Sequence, residues 1–221
     1  MTLLDFPGKV ACTIFTFGCN LRCPFCHNAS LVLGANNESY TEEEILSYLD
    51  KRRALLDGVC ITGGEPLLQP DIADFIGKIK ALGYAVKLDT NGCFPEKLKS
   101  LVNDGLIDYV AMDIKNCLAK YEKMVGIKDF DTSAVKESIE FLISGKVDFE
   151  FRTTVVRELH TTQDIKVLSK EIKGAKKYYL QSFVDSGDLI GENLSAHSKE
   201  ILEEMKAEAE KTIDIVEIRG I

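Results

Sequence analysis

Apolar positions along this chain recur in two alternating rhythms. Short runs rich in β-branched and aromatic residues stand at 10–17, 58–62, 85–89, 109–113, 149–155, 178–183 and 214–218. Between them lie longer stretches with apolar residues three and four apart, at 41–53, 71–82, 96–104, 132–144, 162–172 and 196–211. The first of these opens on Thr41 with Glu44 three residues on, the pattern of a capping box, and continues with Ile45, Leu46 and Leu49. The short runs read as buried strands and the longer ones as amphipathic helices. Their alternation predicts an α/β fold of parallel βαβ units, six of them followed by a last strand. Six units are too few for a closed eight-fold barrel. The periodicity alone fits either a partial, open barrel or a doubly wound sheet.

The polar residues that interrupt this pattern fall at the C-terminal ends of the predicted strands, where parallel α/β folds collect their chemistry. The first strand ends in a cysteine cluster and the second in Thr62-Gly63-Gly64-Glu65-Pro66. The third ends in Asp89-Thr90-Asn91-Gly92, the fourth in Asp113 and Lys115, the fifth in Arg152 and the sixth in Gln181. One polar strand end carries no information, whereas six in succession predict a shared ligand site on one face.

Composition narrows the classes. With 221 residues, 45% hydrophobic, the chain has enough apolar material for one sizeable core, and residues 1–221 read as a single domain without linker, repeat or low-complexity tract. Twenty-seven Lys and Arg against 35 Asp and Glu give a net charge of −8, and no basic run marks a nucleic-acid surface. The charge reads chiefly as solubility. No stretch approaches the roughly 18 consecutive apolar residues of a membrane span, and the N-terminus lacks the basic and apolar regions of a secretory signal. The expectation is a cytoplasmic protein with no membrane or nucleic-acid partner. The short lead before Asp5 leaves room for a further N-terminal segment.

Seven cysteines, three of them within eight residues, argue in a reducing compartment for metal or catalysis rather than a disulfide frame. Cys19-Asn20-Leu21-Arg22-Cys23-Pro24-Phe25-Cys26 has the spacing C-x3-C-x2-C. Thiolates select zinc, copper(I) or iron–sulfur clusters. A structural zinc site completes a tetrahedron, and only His27 is at hand to do so. Three thiolates on one loop can instead hold a [4Fe–4S] cube by three corners, with the fourth iron open to a ligand outside the protein; electron carriers use four cysteines. An open cluster, zinc with His27, and coincidence all remain available on residue types alone.

The Cys-x3-Cys-x2-Cys motif with Phe25 before its last cysteine, backed by Gly63-Gly64-Glu65-Pro66, resembles the signature of the radical S-adenosylmethionine (SAM) enzymes. The segments Leu4-Asp5-Phe6-Pro7-Gly8-Lys9 and Phe17-Gly18-Cys19 through His27-Asn28 resemble the glycyl-radical-enzyme activases, foremost those of anaerobic ribonucleotide reductases and next those of pyruvate formate-lyases. The likeness extends through Asp89-Thr90-Asn91-Gly92, Asp113-Ile114-Lys115 and the Arg152 strand, and so covers most of the chain.

That resemblance implies an open (β/α)6 barrel and an enzyme that reductively cleaves SAM to a 5′-deoxyadenosyl radical. The radical abstracts hydrogen from a glycine of a partner protein, with a flavodoxin- or ferredoxin-like electron donor. It implies that Cys19, Cys23 and Cys26 hold a [4Fe–4S] cluster. Phe25, His27, Gly63, Gly64, Glu65, Asp89, Asn91, Asp113, Lys115, Arg152 and Phe183 would surround SAM, with the Glu65 carboxylate facing the methionine ammonium and the two glycines letting backbone approach the ligand. Asp89, Thr90 and Asp113 would offer a candidate site for a monovalent cation. A second cluster is not expected, because residues 27–62 hold only Cys60.

Each of these residues also has a plainer reading. Gly63-Gly64 can be a tight strand-to-helix turn, and Asp89, Thr90 and Asn91 can be turn and cap residues. Lys115 and Arg152 can be barrel-wall ion pairs, and Phe183 core. Cys12 and Cys60 read as buried small hydrophobes, Cys93 and Cys117 stay open, and His160 and His197 are given no role. Three functions compete: an activase, a radical SAM enzyme acting on a small molecule such as a deazapurine precursor, and a non-catalytic zinc-bound interaction module.

Overall fold

The computed structural model describes residues 2, 5–34 and 39–220; Leu4, part of the segment read with Phe6-Pro7-Gly8, lies outside the described residues. Seven strands, β1 (Ala11–Thr16), β2 (Gly58–Gly63), β3 (Ala85–Thr90), β4 (Tyr109–Asp113), β5 (Asp148–Val155), β6 (Lys177–Ser182) and β7 (Ile215–Arg219), form one sheet. Every neighbouring pair is parallel, and the order across the sheet is the order along the chain. That order decides the question that periodicity left open. A doubly wound sheet reverses direction partway, at a switch point; here there is none. Successive right-handed crossovers put the helices on one side and curl the sheet into a partial barrel. It is not closed, because β1 and β7 are its two edges.

The covering helices are α2 (Glu42–Asp50), α3 (Ile72–Ala81), α4 (Pro95–Asn103), α6 (Ser133–Ile143), α7 (Thr162–Glu171) and α8 (Lys199–Ala209). Helix α2 starts as its sequence dictates: Thr41 accepts from the Glu44 amide while the Glu44 carboxylate accepts from the Thr41 amide. Helix α8 begins later than the apolar spacing predicts, because Ala196 is taken up in an antiparallel bridge with Val156. Two short helices, α1 (Ala29–Leu33) behind the cysteine loop and α5 (Tyr121–Val125), are too brief to show a period.

Alternation along each strand divides the sheet's two faces. Val59 and Ile61, Val86 and Leu88, Val110 and Met112, Phe149 and Phe151, and Tyr178 and Leu180 join Ile76, Leu98, Ile139, Leu168 and Met205 of the helices in one buried core. The alternate residues, among them Lys87, Asp89, Asp113, Glu150, Arg152 and Gln181, line the barrel interior. At the N-terminal end of the strands Phe6 plugs that interior, packed with Ala11 and Tyr109. The C-terminal end is left open for a site. Among the described residues no helix is long and apolar enough to cross a membrane.

Candidate active site

A cavity of about 230 Å³ opens at the C-terminal ends of the strands. It is lined by Cys19, Cys23, Phe25, Cys26 and His27 from the cysteine loop, and by Gly63 and Gly64 after β2. Asp89, Thr90 and Asn91 of the β3 end, Asp113 and Lys115 of the β4 end, and Arg152 of β5 complete it. Two predicted residues, Glu65 and Phe183, are not on its wall. A larger groove of about 770 Å³ runs along β1, α2 and α3 and shares none of these residues.

The loop after β1 is held from several sides. Arg22 folds back to donate to the Cys19 and Leu21 carbonyls (2.7 and 2.8 Å), and its amide donates to Val125 of α5 (2.8 Å). Asn91 Nδ2 donates to Asn20 Oδ1 (2.8 Å) and lies 3.8 Å from Cys19 Sγ. The two glycines line the cavity and also let this loop approach β2 closely. A Cβ on Gly64 would stand 1.8 Å from the Gly18 carbonyl oxygen, and one on Gly63, where φ is +118°, would stand 2.3 Å from the Thr16 nitrogen. The close approach they permit is between β2 and the chain entering the cysteine loop, sealed by the Gly64 and Glu65 amides donating to Thr16 and Gly18.

Glu65 is fully buried and already satisfied by the protein. One oxygen accepts from the Leu67 amide (3.1 Å) and the Thr90 hydroxyl (2.8 Å), the other from the Asn91 amide (2.7 Å). Burial raises its pKa to about 7 against these hydrogen bonds. The carboxylate therefore ties the end of β2 to the end of β3, and through Asn91 to the cysteine loop. It does not reach into the cavity.

Between the candidate cation ligands stands a guanidinium. Arg152 donates to Asp89 (Nη1, 3.0 Å) and to Asp113 (Nε, 2.8 Å), and Lys115 Nζ donates to the second oxygen of Asp113 at 3.3 Å. Burial would raise the Asp113 pKa, but Arg152 and Lys115 outweigh it and hold the carboxyl at about 2. Any ion taken up there would share its oxygens with Arg152, and at Thr90 with Glu65. Among the described residues no three or more His, Cys, Asp or Glu side chains gather as they would around a single ion.

The aromatic wall is built in two layers. His27 lines the cavity and its ring lies 5.5 Å from that of Phe183, which is buried behind it. Phe25 packs edge-on against His160 at 5.8 Å. His160 carries a role that its sequence position, in a loop, does not advertise. Its Nδ1 accepts from the Val156 amide (3.1 Å), so its Nε2 donates to the Lys115 carbonyl (2.8 Å), fixing the backbone that presents Lys115. Thr154 of β5 also lines the cavity, two residues after Arg152, where strand alternation could have placed it. The remaining cysteines divide. Cys12 and Cys117 pack against the main core, Cys60 lies under the Asp89 carboxylate (3.7 Å), and burial pushes the half-buried Cys93 up to about 12.

The residues present fit a thiolate-bound cluster with a polar ligand beside it. Three cysteines face one cavity, and His27 Nε2 on its wall is buried without a hydrogen-bond partner. A buried orphan of this kind calls for an acceptor or donor brought by a ligand. Burial raises the pKa of Cys19, and that of Cys23 to about 11, so binding iron must displace protons from these thiols.

Comparison with known proteins gives the family. Residues 13–160 match the radical SAM superfamily model. A Methanocaldococcus jannaschii protein, provisionally named a glycyl-radical enzyme activating enzyme, is 36% identical over 100% of this chain and 93% of its own. The pyruvate formate-lyase-activating enzyme of Clostridium pasteurianum is 28% identical over 80% of this chain and 82% of its own. In fold, the chain superposes on Streptococcus suis SuiB, solved with its precursor peptide SuiA, with a TM-score of 0.76 at 13% identity. It spans 98% of itself but about half (49%) of that larger chain. With the cysteine motif, the open parallel sheet and a full-length relative in agreement, the chain belongs to the radical SAM superfamily and, within it, to the glycyl-radical-enzyme activating family.

Proposed function

We propose that this protein activates an anaerobic ribonucleotide reductase in the cytoplasm by taking a hydrogen atom from one glycine of that partner. The observation that carries the reading is a single cavity lined by Cys19, Cys23 and Cys26 together with Asp89, Asp113, Lys115 and Arg152, at the mouth of an open sheet. The activase relatives support a glycyl partner. The resemblance of the segment around Phe6-Pro7-Gly8 and the cysteine loop supports the reductase over other partners.

A [4Fe–4S] cluster on the three cysteines, with SAM, supplies the 5′-deoxyadenosyl radical when bound, and the protein supplies binding, orientation and protection. Arg152 and Lys115 present positive charge to a carboxylate in the cavity. His27 Nε2 offers its free hydrogen-bonding position to the same ligand, while Phe25 and Phe183 keep that side apolar. Asn91, fixed by Glu65, holds the Cys19 end of the loop in place. Among the described residues none closes the mouth, so the partner's glycine enters on a loop that itself excludes water. Ordering such a loop costs about 2–5 kcal/mol, which makes affinity for the intact partner modest.

The test is to combine the reconstituted protein, SAM, a flavodoxin- or ferredoxin-like reductant and candidate glycyl-radical proteins, and to record the glycyl signal by electron paramagnetic resonance. The signal is expected with the anaerobic reductase. A signal only with another glycyl-radical protein reassigns the partner. Turnover of a small metabolite with no glycyl signal anywhere would replace the reading with a small-molecule enzyme.

A further inference from the structure

Lys87 lies on β3 two residues before Asp89, on the same face of the strand, and its side chain is 2% exposed. Lysine is almost never this far from water unless its ammonium is paired. Its Nζ contacts Asp89 Oδ1, with Cys60 Sγ 3.7 Å away. The other Asp89 oxygen accepts from Arg152, Arg152 reaches on to Asp113, and Asp113 to Lys115. The five side chains form one row of alternating sign from the barrel interior to the cavity. Four of them line the cavity and Lys87 does not.

The row holds three cations and two carboxylates, so it carries one positive charge in surplus. Of its neighbours, Glu150 is paired with both arms of the Arg219 guanidinium, at 2.9 and 3.2 Å, and the buried Glu65 is held by Thr90, Asn91 and Leu67. Without Lys87 the row would be neutral, and Asp89 would draw on Arg152 alone. An interior carboxylate that loses a partner carries charge that the protein no longer compensates, which favours a cation beside it.

We propose that Lys87 is a positioning residue for the amino-acid end of the cofactor. By balancing Asp89 from beneath, it leaves Arg152 and Lys115 to attract a carboxylate in the cavity. It acts as the built-in cation of the site, and no ion from solution is required beside Asp89. The inference rests on the reading that SAM occupies this cavity.

The experiment is anaerobic calorimetry of SAM binding to the reconstituted protein, in choline chloride and then with potassium or ammonium replacing choline at constant ionic strength. The wild-type protein is expected to bind equally in all three salts. Lys87→Met keeps most of the stem's volume and removes its charge. It should bind about tenfold more weakly in choline with its iron content intact, and recover in potassium or ammonium as a small cation enters and reaches Asp89. If that variant does not fold, Lys87→Met combined with Asp89→Asn removes both partners and should bind without preference among the salts. Four results would overturn the proposal: wild type binding more tightly in potassium than in choline, Lys87→Met binding like wild type in choline, a loss that no cation restores, or salt dependence in the double variant. Failure of the wild type to bind SAM in any salt would instead remove the reading beneath it.

Discussion

The two faces of the sheet use the same seven strands under opposite rules. On the helix side, Val59, Ile61, Val86, Leu88, Val110 and Leu180 are sealed into a continuous apolar core, where each methylene contributes by leaving water and neighbours can adjust. On the interior side, Lys87, Asp89, Asp113, Lys115 and Arg152 hold one another by directed, charged contacts, where removing one member strands the next. The helix side makes the fold and is tolerant. The interior side gives up apolar burial to keep charge pointed at a cavity, and its tolerance is low. Substitutions on the two faces should therefore separate stability from ligand binding.

The largest effect belongs to the cavity rim. Alanine at any one of Cys19, Cys23 or Cys26 is expected to abolish SAM cleavage and to lower bound iron sharply, because two thiolates cannot hold the cube. Cys12→Ala, on the apolar side, should cost only about 1 kcal/mol of stability and no iron. Iron analysis after anaerobic reconstitution checks the contrast, and equal iron losses at all four positions would erase it.

Next comes the charged row. Arg152→Gln removes the bridge between Asp89 and Asp113 while leaving each its lysine, Lys87 and Lys115, and should cost about 1.5–3 kcal/mol in denaturant unfolding as well as weakening SAM binding. Leu88→Ala, one residue from Asp89 but on the other face, should cost about 2–5 kcal/mol and leave SAM affinity unchanged. Paired unfolding and calorimetry measurements on the two variants distinguish the faces, and a loss of SAM affinity in Leu88→Ala would contradict the division.

The last effect is spread over pH and leaves the site itself intact. Burial raises the Glu65 carboxyl from its ordinary 4.5 to about 7 in the folded protein, against the hydrogen bonds from Asn91, Thr90 and Leu67. Between these values the folded state binds more protons than the unfolded chain, so this group's contribution is complete below the lower value and is lost as pH rises through the upper one. Glu65→Gln, uncharged throughout, should remove that fall, on the order of 3 kcal/mol. Unfolding curves across the window read it out, and an identical slope in the variant would show that Glu65 does not titrate there.

Much of this was legible in the sequence, for identifiable reasons. Seven apolar runs separated by helical spacing predict the strands to within a residue or two, because buried parallel strands leave few polar positions to blur them. Strand order was not legible, since winding direction is decided by crossovers that leave no periodic mark. Lys87 stayed hidden because one charged residue inside an apolar run looks like noise until Asp89 is placed two residues along on the same face. Glu65 reads in sequence as facing a ligand, whereas its oxygens are taken by Leu67, Thr90 and Asn91, and the two glycines, which do line the cavity, also pack on the Thr16–Gly18 backbone. A carboxylate beside two glycines looks the same in sequence whichever way its oxygens turn. His160 was invisible because its partners, Val156 and Lys115, are backbone groups, one of them 45 residues away.

The most direct test of the central claim is the release of 5′-deoxyadenosine from SAM by the anaerobically reconstituted, reduced protein, with and without a peptide carrying the partner's glycine motif. The account predicts a brown chromophore bleached by dithionite, and release that rises when the peptide is added. Stoichiometric zinc without iron, or release stimulated by a small metabolite and by no glycine-bearing peptide or protein, would contradict it.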